Sequence, residues 1–186
     1  MAKNHIMLDL ETLATTPNAQ VLTIGAVKFD PNGDDFTDQS CETLYIKVDI
    51  ESCNDLNLEI NDDTVAWWGQ QSEEAQEEAF GEEGRVSIQD AFAQLHKFCW
   101  GSKYVWSHGA AFDVPICENI FRKLNKAIPW QFWDVRCTRT LFDLGMVPYK
   151  PSVTAHHALV DAYNQVLGVQ SITKILREHG INPFGR

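Results

Sequence analysis

The stretch HIMLDLETLA, residues 5–14, places two carboxylates two positions apart in an otherwise apolar, strand-like run. In an extended chain, residues i and i+2 lie on the same face, roughly 6.5 Å apart. Asp9 and Glu11 therefore share one face of the predicted strand, and Leu8 and Leu10 share the other. Neighbouring acids repel unless a cation lies between them. Either a cation site or an edge strand with one solvated face explains this pattern.

The remaining patterns predict a mixed sheet covered by helices. Apolar, β-branched runs typical of strands cover residues 4–11, 19–30, 41–50 and 103–108. Helical patterns cover residues 62–71, 87–100, 112–127, 134–145 and 157–180. Ser87 with Asp90 predicts the start of the second helix, and Gly180 predicts the end of the last one. Three strands in succession, followed by strands mixed with helices, favour an α/β fold over a regular βαβ repeat.

Composition predicts a single domain that spans residues 1–186. A hydrophobic content of 44%, with ten Phe and six Trp, is sufficient for one sizeable core. No run approaches the roughly 20 consecutive apolar residues of a membrane span, and acids interrupt the N-terminal stretch where a signal peptide needs an apolar run. We therefore expect a cytoplasmic protein with no membrane contact. The five cysteines include no CxxC pair, which predicts reduced, structural thiols rather than a zinc site.

The net charge of -11 argues against general binding along nucleic acid backbones, which requires Lys and Arg. The charge is compatible with an enzyme that engages only the end of a strand. Much of it lies in SEEAQEEAFGEEG, residues 72–84, which predicts a solvated helix face and loop.

Two further acids, Asp113 and Asp161, lie near the starts of predicted helices. Taken alone, Asp113 is more simply explained as a residue that favours the helix dipole and caps free N–H groups. If both acids converge with Asp9 and Glu11, the four provide hard oxygen ligands without Cys, a set that selects Mg²⁺ or Mn²⁺ over Zn²⁺. Such clusters typically hold two ions about 3.5–4 Å apart and serve phosphoryl transfer. Two cations would also offset the repulsion between the carboxylates.

HHALVDA, residues 156–162, offers a general base. His156 precedes Asp161 by five residues, which on a continuous helix would place the two roughly 140° apart. His156 is therefore expected on the loop ahead of the helix, where it could lean over the site and accept a proton near neutral pH. Its neighbour His157 could serve instead, and spacing alone does not separate the two. His108, five residues before Asp113, is a candidate for the wall of the cleft.

Three motifs in order resemble those of the DEDDh 3'-5' exonucleases: DLET at 9–12, HGAAFD at 108–113 and HHALVDA at 156–162. The residues from 5 to 30, together with TVAWWGQQS at 64–72, are most similar to the branch of phage exonuclease A and the mycobacterial-type exoribonucleases. The resemblance spans essentially the whole chain. It implies an α/β, ribonuclease H-like fold in which helices flank a mixed five-stranded sheet.

The resemblance also implies roles for individual residues. Four acids would hold two ions, Mg²⁺ or Mn²⁺: Asp9, Glu11, Asp113 and Asp161. By the H-x4-D spacing, His156 would be the general base. Substrate contacts would involve Leu10, Thr12, Leu13, Trp67, Trp68 and His108.

Within that set, Leu10 and Thr12 would meet the terminal nucleotide and Leu13 would pack against a base. Trp67 and Trp68 are explained either by stacking on an unpaired base or, for at least one of them, by core packing.

Two positions depart from the pattern of the resembled family. Ala14 stands where a glycine is common, and Gly109 stands where a polar residue is often found. Both departures put contacts to the 3' nucleotide in question, whereas the four acids are all present.

These features predict a metal-dependent exonuclease that removes nucleoside 5'-monophosphates from a single-stranded 3' end by a two-metal-ion mechanism, with DNA favoured. An exoribonuclease acting on short RNA or RNA tails is one alternative. A proofreading-like binding subunit with weak catalysis is another. A homodimer is expected from the resemblance, with aromatic residues near Trp130 and Trp133 as candidates for the interface, although core positions would explain them equally well.

Overall fold

The computed structural model describes residues 4–33, 41–146 and 156–184. Its centre is one five-stranded sheet with the strand order β3-β2-β1-β4-β5. The strands are β1 (His5–Thr12), β2 (Val21–Phe29), β3 (Glu42–Lys47), β4 (Tyr104–Ser107) and β5 (Val135–Cys137). The first three pair antiparallel, whereas β4 is parallel to β1 and β5 is parallel to β4. The sheet is therefore mixed, as predicted.

Six α-helices accompany the sheet in the described residues: α1 (Asp62–Trp68), α2 (Glu73–Phe80), α3 (Ile88–Cys99), α4 (Asp113–Lys123), α5 (Thr138–Phe142) and α6 (Ala158–Glu178). The Ser87 hydroxyl accepts a hydrogen bond from the Asp90 amide at 3.1 Å, which confirms the predicted start of α3. Beyond the end of α6, Gly180 adopts a positive φ of 76°, as a glycine that terminates a helix commonly does. Within the described residues, no helix is both long and apolar enough to cross a membrane.

The predicted helix over residues 134–145 is wrong in its first part. Val135–Cys137 form the edge strand β5, and α5 is confined to Thr138–Phe142. Residues 135–137 extend because their backbone pairs with Val105–Ser107 of β4, a contact between segments about 30 residues apart that no local pattern encodes.

The two faces of the sheet are covered by different helices. Ile6, Leu8 and Leu10 of β1 belong to a buried cluster with side chains of α3 and α4. Met7 faces the other way, into a cluster with Ala162, Val166 and Val169 of α6. β1 is thus the central strand of a three-layer structure, so the edge-strand explanation of Asp9 and Glu11 is wrong.

Gly25 allows the start of α6 to rest directly on the sheet. A Cβ atom at this position of β2 would lie 2.2–2.3 Å from backbone atoms of Ala158 and Leu159. In the antiparallel pairing, Gly25 is the register partner of Asp9. The close approach therefore brings the first turn of α6 to the part of β1 that carries the two acids.

The aromatic residues proposed for an interface differ in exposure. Trp130 is buried, with its indole N–H donating to a Glu118 carboxylate oxygen at 3.1 Å. Trp133 and Phe132 are 59% and 80% exposed, respectively. Of these three aromatic residues, Phe132 and Trp133 are accessible to a partner chain and Trp130 is not.

Candidate active site

The carboxylates of β1 lie where the sheet opens at the end of β4. Pairing between β1 and β4 runs from His5 to Met7, so β1 extends beyond its neighbour. Asp113, the first residue of α4, fills this opening, and its Oδ1 accepts a hydrogen bond from the Leu10 amide at 3.1 Å. The hydrogen bond fixes the Asp113 carboxyl beside the backbone between Asp9 and Glu11.

α6 completes the acid cluster from above the sheet. One ligand oxygen from each of Asp9, Glu11 and Asp161 lies within 4.8 Å of the others. Gln165, one turn after Asp161, donates a hydrogen bond to Asp9 Oδ1 at 2.9 Å. The structure therefore brings together the four predicted acids, three of them in one tight group and Asp113 beside it.

Burial opposes ionisation of this cluster. Desolvation, reinforced by Asp113 and Glu11, raises the pKa of Asp9 well above its ordinary value. Burial, with Asp161 and Asp113 nearby, raises the pKa of Glu11 to about 8. The pKa values of Asp113 and Asp161 are also raised, chiefly by burial. Without a cation, burial disfavours the ionised forms of these four carboxyls. A bound divalent cation would stabilise the ionised forms, so the cluster is suited to hold one.

The donor set fits a hard divalent metal. The grouped ligand atoms are carboxylate oxygens, with no Cys or His among them. Mg²⁺ and Mn²⁺ prefer such oxygen donors, whereas Zn²⁺ sites usually include Cys or His.

A cavity of about 650 Å³ opens over the cluster. It is lined by the four acids and by most of the predicted substrate contacts: Leu10, Thr12, Trp67, Trp68 and His108. His156 also lines it. These sequence-distant motifs therefore share one cavity, large enough for a nucleotide-sized ligand.

His156 lies in the turn ahead of α6, as expected, and in a backbone conformation that is uncommon for a residue with a side chain. Its φ is +67°. Its ring packs edge-on against Trp67 and Trp68, with centroid distances of 4.8 and 5.8 Å. Burial raises the pKa of Asp161, and the nearby backbone amides of His156 and His157 partly offset this effect. The Asp161 carboxyl thus lies close to the turn that carries the candidate base.

His157 is turned away from the cavity. Its ring packs on Tyr45 at a centroid distance of 4.6 Å, and its Nε2 lies 3.8 Å from Glu78 Oε1. Glu78 also accepts a hydrogen bond from the Tyr45 hydroxyl and pairs with Lys47 at 3.5 Å. The acids of residues 72–84 were predicted to be solvated, but the Glu78 side chain is only 29% exposed. It instead contacts His157, the residue that follows the candidate base.

The two tryptophans have different surroundings. Trp68 is 2% exposed, and its indole N–H donates to the Thr12 carbonyl at 2.9 Å. Trp67 is 41% exposed and presents its ring to the cavity. The structure therefore places Trp68 in the core and leaves Trp67 as the available stacking surface.

Leu13 is not placed to contact a base. It is 4% exposed and packs with Leu22, Trp68 and Ala79 beneath the cavity wall. The residue turns inward because β1 ends at Thr12 and the Leu13 amide bonds to the Gln20 carbonyl at 2.9 Å. The prediction of Leu13 as a substrate contact is corrected accordingly.

Several lining residues were missed by sequence reasoning: Thr15, Asp63, Thr64, Phe112, Arg139 and Gln165. Gln165 could have been found, because it follows Asp161 by four residues and thus shares its helix face. Arg139 carried no local signal. It reaches the cavity because α5 begins immediately after the edge strand β5, which was itself missed.

The fold is that of known exonucleases. Exonuclease I of E. coli, solved with a dT13 oligonucleotide, matches 95% of this chain with a TM-score of 0.64 at 13% identity, and the chain spans 42% of that protein's length. The nuclease domain of 3'hExo, described as a DEDDh family member bound to rAMP, matches 95% of this chain and 92% of its own, with a TM-score of 0.51 at 12% identity. Both likenesses confirm the predicted fold, a mixed five-stranded sheet flanked by helices.

Sequence comparison identifies the family. The family described as the 3'-5' exoribonuclease Rv2179c-like domain matches residues 4–173. An exodeoxyribonuclease of Enterobacteria phage T4 is 28% identical, over 72% of this chain and 68% of its own length. The chain belongs to the Rv2179c-like 3'-5' exoribonuclease domain family and is a 3'-5' exonuclease. Membership also implies the use of a divalent metal.

Proposed function

We propose that the protein hydrolyses the last phosphodiester of a single strand and releases a nucleoside 5'-monophosphate, using Asp9, Glu11, Asp113 and Asp161 to hold two divalent cations, Mg²⁺ or Mn²⁺. The observation that carries the proposal is the convergence of three carboxylates within 4.8 Å in a cavity that His156 also lines. When bound, the two cations would supply Lewis acidity at the scissile phosphate and offset the charge on the carboxylates.

The side chains of this protein have complementary tasks in the proposed reaction. His156 accepts the proton of the attacking water, as suits an imidazole near neutral pH. Asp161 lies close to the backbone amides of His156 and His157 and lines the same cavity as His156. Gln165 orients the Asp9 carboxylate through its hydrogen bond at 2.9 Å. Trp67, 41% exposed, offers its face to the terminal base.

DNA is the proposed preferred substrate, and RNA is the alternative. The exodeoxyribonuclease of phage T4, 28% identical, supports DNA, whereas the family description, an exoribonuclease domain, supports RNA. The Thr12 hydroxyl, a candidate for sensing a 2'-hydroxyl, already donates to the Ala14 carbonyl at 2.7 Å and is 6% exposed. The preference between DNA and RNA is tested directly by comparing the rates of hydrolysis of the two substrates.

The experiment compares DNA and RNA single strands of one sequence, labelled at the 5' or the 3' end, in Mg²⁺, Mn²⁺ or EDTA. We expect stepwise loss from the 3' end, faster on DNA, that EDTA stops and Asp161→Asn abolishes. Faster loss from RNA would transfer the preference to the alternative. Intact strands under every condition would contradict the proposed activity and favour the binding-subunit hypothesis.

A homodimer remains a prediction of its own. Phe132 and Trp133, both well exposed beside the edge strand β5, are its candidate interface. Light scattering would show twice the chain mass of 21.1 kDa if the dimer forms, and Trp133→Ser should return the mass to that of one chain.

A further inference from the structure

We propose that Arg139 binds a backbone phosphate of the substrate strand, at the linkage immediately 5' of the scissile one. The inference rests on the proposed function and adds a specific contact to it. It identifies the residue that lets an acidic protein hold a polyanion beyond its metal cluster.

Arg139 carries a positive charge in a cavity whose other ionisable residues are mainly acids. The residues that line the cavity include five carboxylates, two histidines and, among the described residues, a single Lys or Arg, which is Arg139. The whole chain carries a net charge of -11. A strand that enters this cavity approaches five carboxylates, and one permanent cation there has a large influence on its binding.

The guanidinium is available for a ligand. Arg139 is exposed, and no carboxylate in the described part of the chain pairs with it within 4.0 Å. Its guanidinium lies against Gly109, since a Cβ at that position would be 3.6–3.7 Å from the Cζ, Nε and Nη2 atoms. Gly109 has a φ of +112°, which disfavours any residue with a side chain. Because position 109 has no side chain, the guanidinium of Arg139 can lie directly over the backbone that follows β4.

The order of the strands places Arg139 on one side of the acids and Trp67 on the other. Asp9 and Glu11 lie on β1, Asp113 follows β4, and Arg139 follows β5. Trp67 adjoins Trp68, which packs with Leu22 of β2 on the opposite side of β1. A terminal nucleoside on Trp67 and a scissile phosphate over the acids would direct the rest of the strand toward β5.

Guanidinium chemistry matches a phosphodiester. Its planar set of donors binds phosphate oxygens in a bidentate manner and stays charged at every working pH. The competing explanation is structural. Burial and then the positive charge of Arg139 lower the pKa of His108, and the same charge partly offsets the burial that raises the pKa of Asp113. The two roles differ in salt dependence, since only a phosphate contact displaces counterions from the strand.

The experiment measures kcat and KM for hydrolysis of a single-stranded oligonucleotide at several NaCl concentrations, for the wild-type protein and for Arg139→Met. We expect KM to rise roughly ten- to a hundredfold, the effect of one lost charge-assisted hydrogen bond. The slope of log(kcat/KM) against log[NaCl] should become shallower by about 0.7, the value for one phosphate of a single strand.

Arg136→Met is the matched control. It removes the same charge three residues earlier, where the guanidinium covers the Tyr104 ring at 4.2 Å and lies outside the cavity. Its salt slope should equal that of the wild-type protein. If the two variants change the slope equally, net charge explains the effect and the assignment is overturned.

A substrate series locates the phosphate. Replacing one linkage at a time by a neutral methylphosphonate should equalise the KM values of the wild-type protein and Arg139→Met only at the linkage 5' of the scissile one. Equal values at another linkage, or at none, would overturn the assignment. If the wild-type protein hydrolyses the unmodified strand while Arg139→Met keeps its salt slope, only this inference fails. If the wild-type protein hydrolyses nothing, the proposed function fails and the inference with it.

Discussion

At the residue scale, His156 combines a proposed chemical role with a costly backbone conformation. Its φ of +67° lies in the left-handed region, which costs an ordinary residue roughly 1–2 kcal/mol. The rings of Trp67 and Trp68 pack against the His156 ring and stabilise the turn. Strain retained at one residue of a cavity is typical of a functional position.

His156→Asn should separate activity from stability. Asparagine tolerates the left-handed conformation, so the free energy of unfolding should change by less than about 1 kcal/mol. Loss of the general base should lower kcat by about 10²- to 10⁴-fold. Thermal unfolding and single-turnover hydrolysis of the same preparation test both parts. His157→Asn is the matched variant, and a larger loss of kcat there than at His156 would exchange the roles of the two histidines.

Truncation of Trp67 should affect substrate binding, whereas truncation of Trp68 should affect stability. Trp67→Ala removes the exposed stacking surface and should raise KM roughly 5- to 150-fold, from a stacking energy of about 1–3 kcal/mol per base. Trp68→Ala removes a buried ring bonded to the Thr12 carbonyl and should cost about 3–5 kcal/mol of stability. Denaturant titration and steady-state kinetics distinguish the two effects. Trp67→Ala protein that unfolds early yet keeps its KM would assign Trp67 to the core.

At the element scale, the site depends on how closely α6 approaches the sheet. The contact at Gly25 sets the height of its first turn, and that turn carries Asp161 to the acids of β1. The approach is closer than any side chain at position 25 would permit. The geometry of the acid cluster is therefore a property of the α6–β2 contact as much as of the acids themselves.

Gly25→Ala should damage the cluster without touching an acid. The added methyl group would lie 2.2 Å from the Ala158 backbone, so α6 must move outward. We expect a loss of about 1–3 kcal/mol in stability, typical of overpacking, together with loss of hydrolysis. Gly69→Ala is the control, since its Cβ would meet no atom closer than 3.4 Å. Full activity in Gly25→Ala protein would show that Asp161 does not need this contact.

The sequence was sufficient for elements whose signals are local. The alternation in β1, the capping residues of α3 and the glycine after α6 each specify structure through near neighbours. β5 was missed because a three-residue strand is defined by its pairing with β4. The same limit concealed Arg139, Leu13 and the inward turn of Glu78, since their surroundings come from segments distant in the chain. The acids and His156 were found because a resembled family supplied the long-range information.

At the scale of the whole molecule, a surplus of acids surrounds a site built of acids. The chain has 26 Asp and Glu against 15 Lys and Arg. Concentrating four carboxyls beneath a cavity adds an internal cost, which appears as the raised pKa values of the cluster. Binding of divalent metal and global stability should therefore be linked, and the linkage should depend on pH.

The raised pKa of Glu11 determines how the stability of the metal-free protein changes with pH. Its pKa is 4.5 in an ordinary environment and about 8 in the folded protein. Below pH 4.5 both folded and unfolded states hold the proton, so the contribution to stability is intact. As the pH rises toward 8 the unfolded state releases its proton first, and the metal-free protein loses stability. His5 acts in the opposite direction, because burial lowers its pKa from 6.5 to about 4 and acid therefore destabilises the fold.

The increase in unfolding temperature produced by saturating Mg²⁺, relative to EDTA, should consequently be small at pH 5 and large at pH 8. Taking the difference at each pH cancels the contribution of His5, which lies outside the cavity. The physical reason is that the cation binds ionised carboxylates, so at pH 8 it meets acids that are already charged and repelling one another. Glu11→Gln should flatten the pH dependence. An increase that is constant from pH 5 to 8, or a Glu11→Gln protein that keeps the wild-type profile, would show that the cation binds away from this cluster.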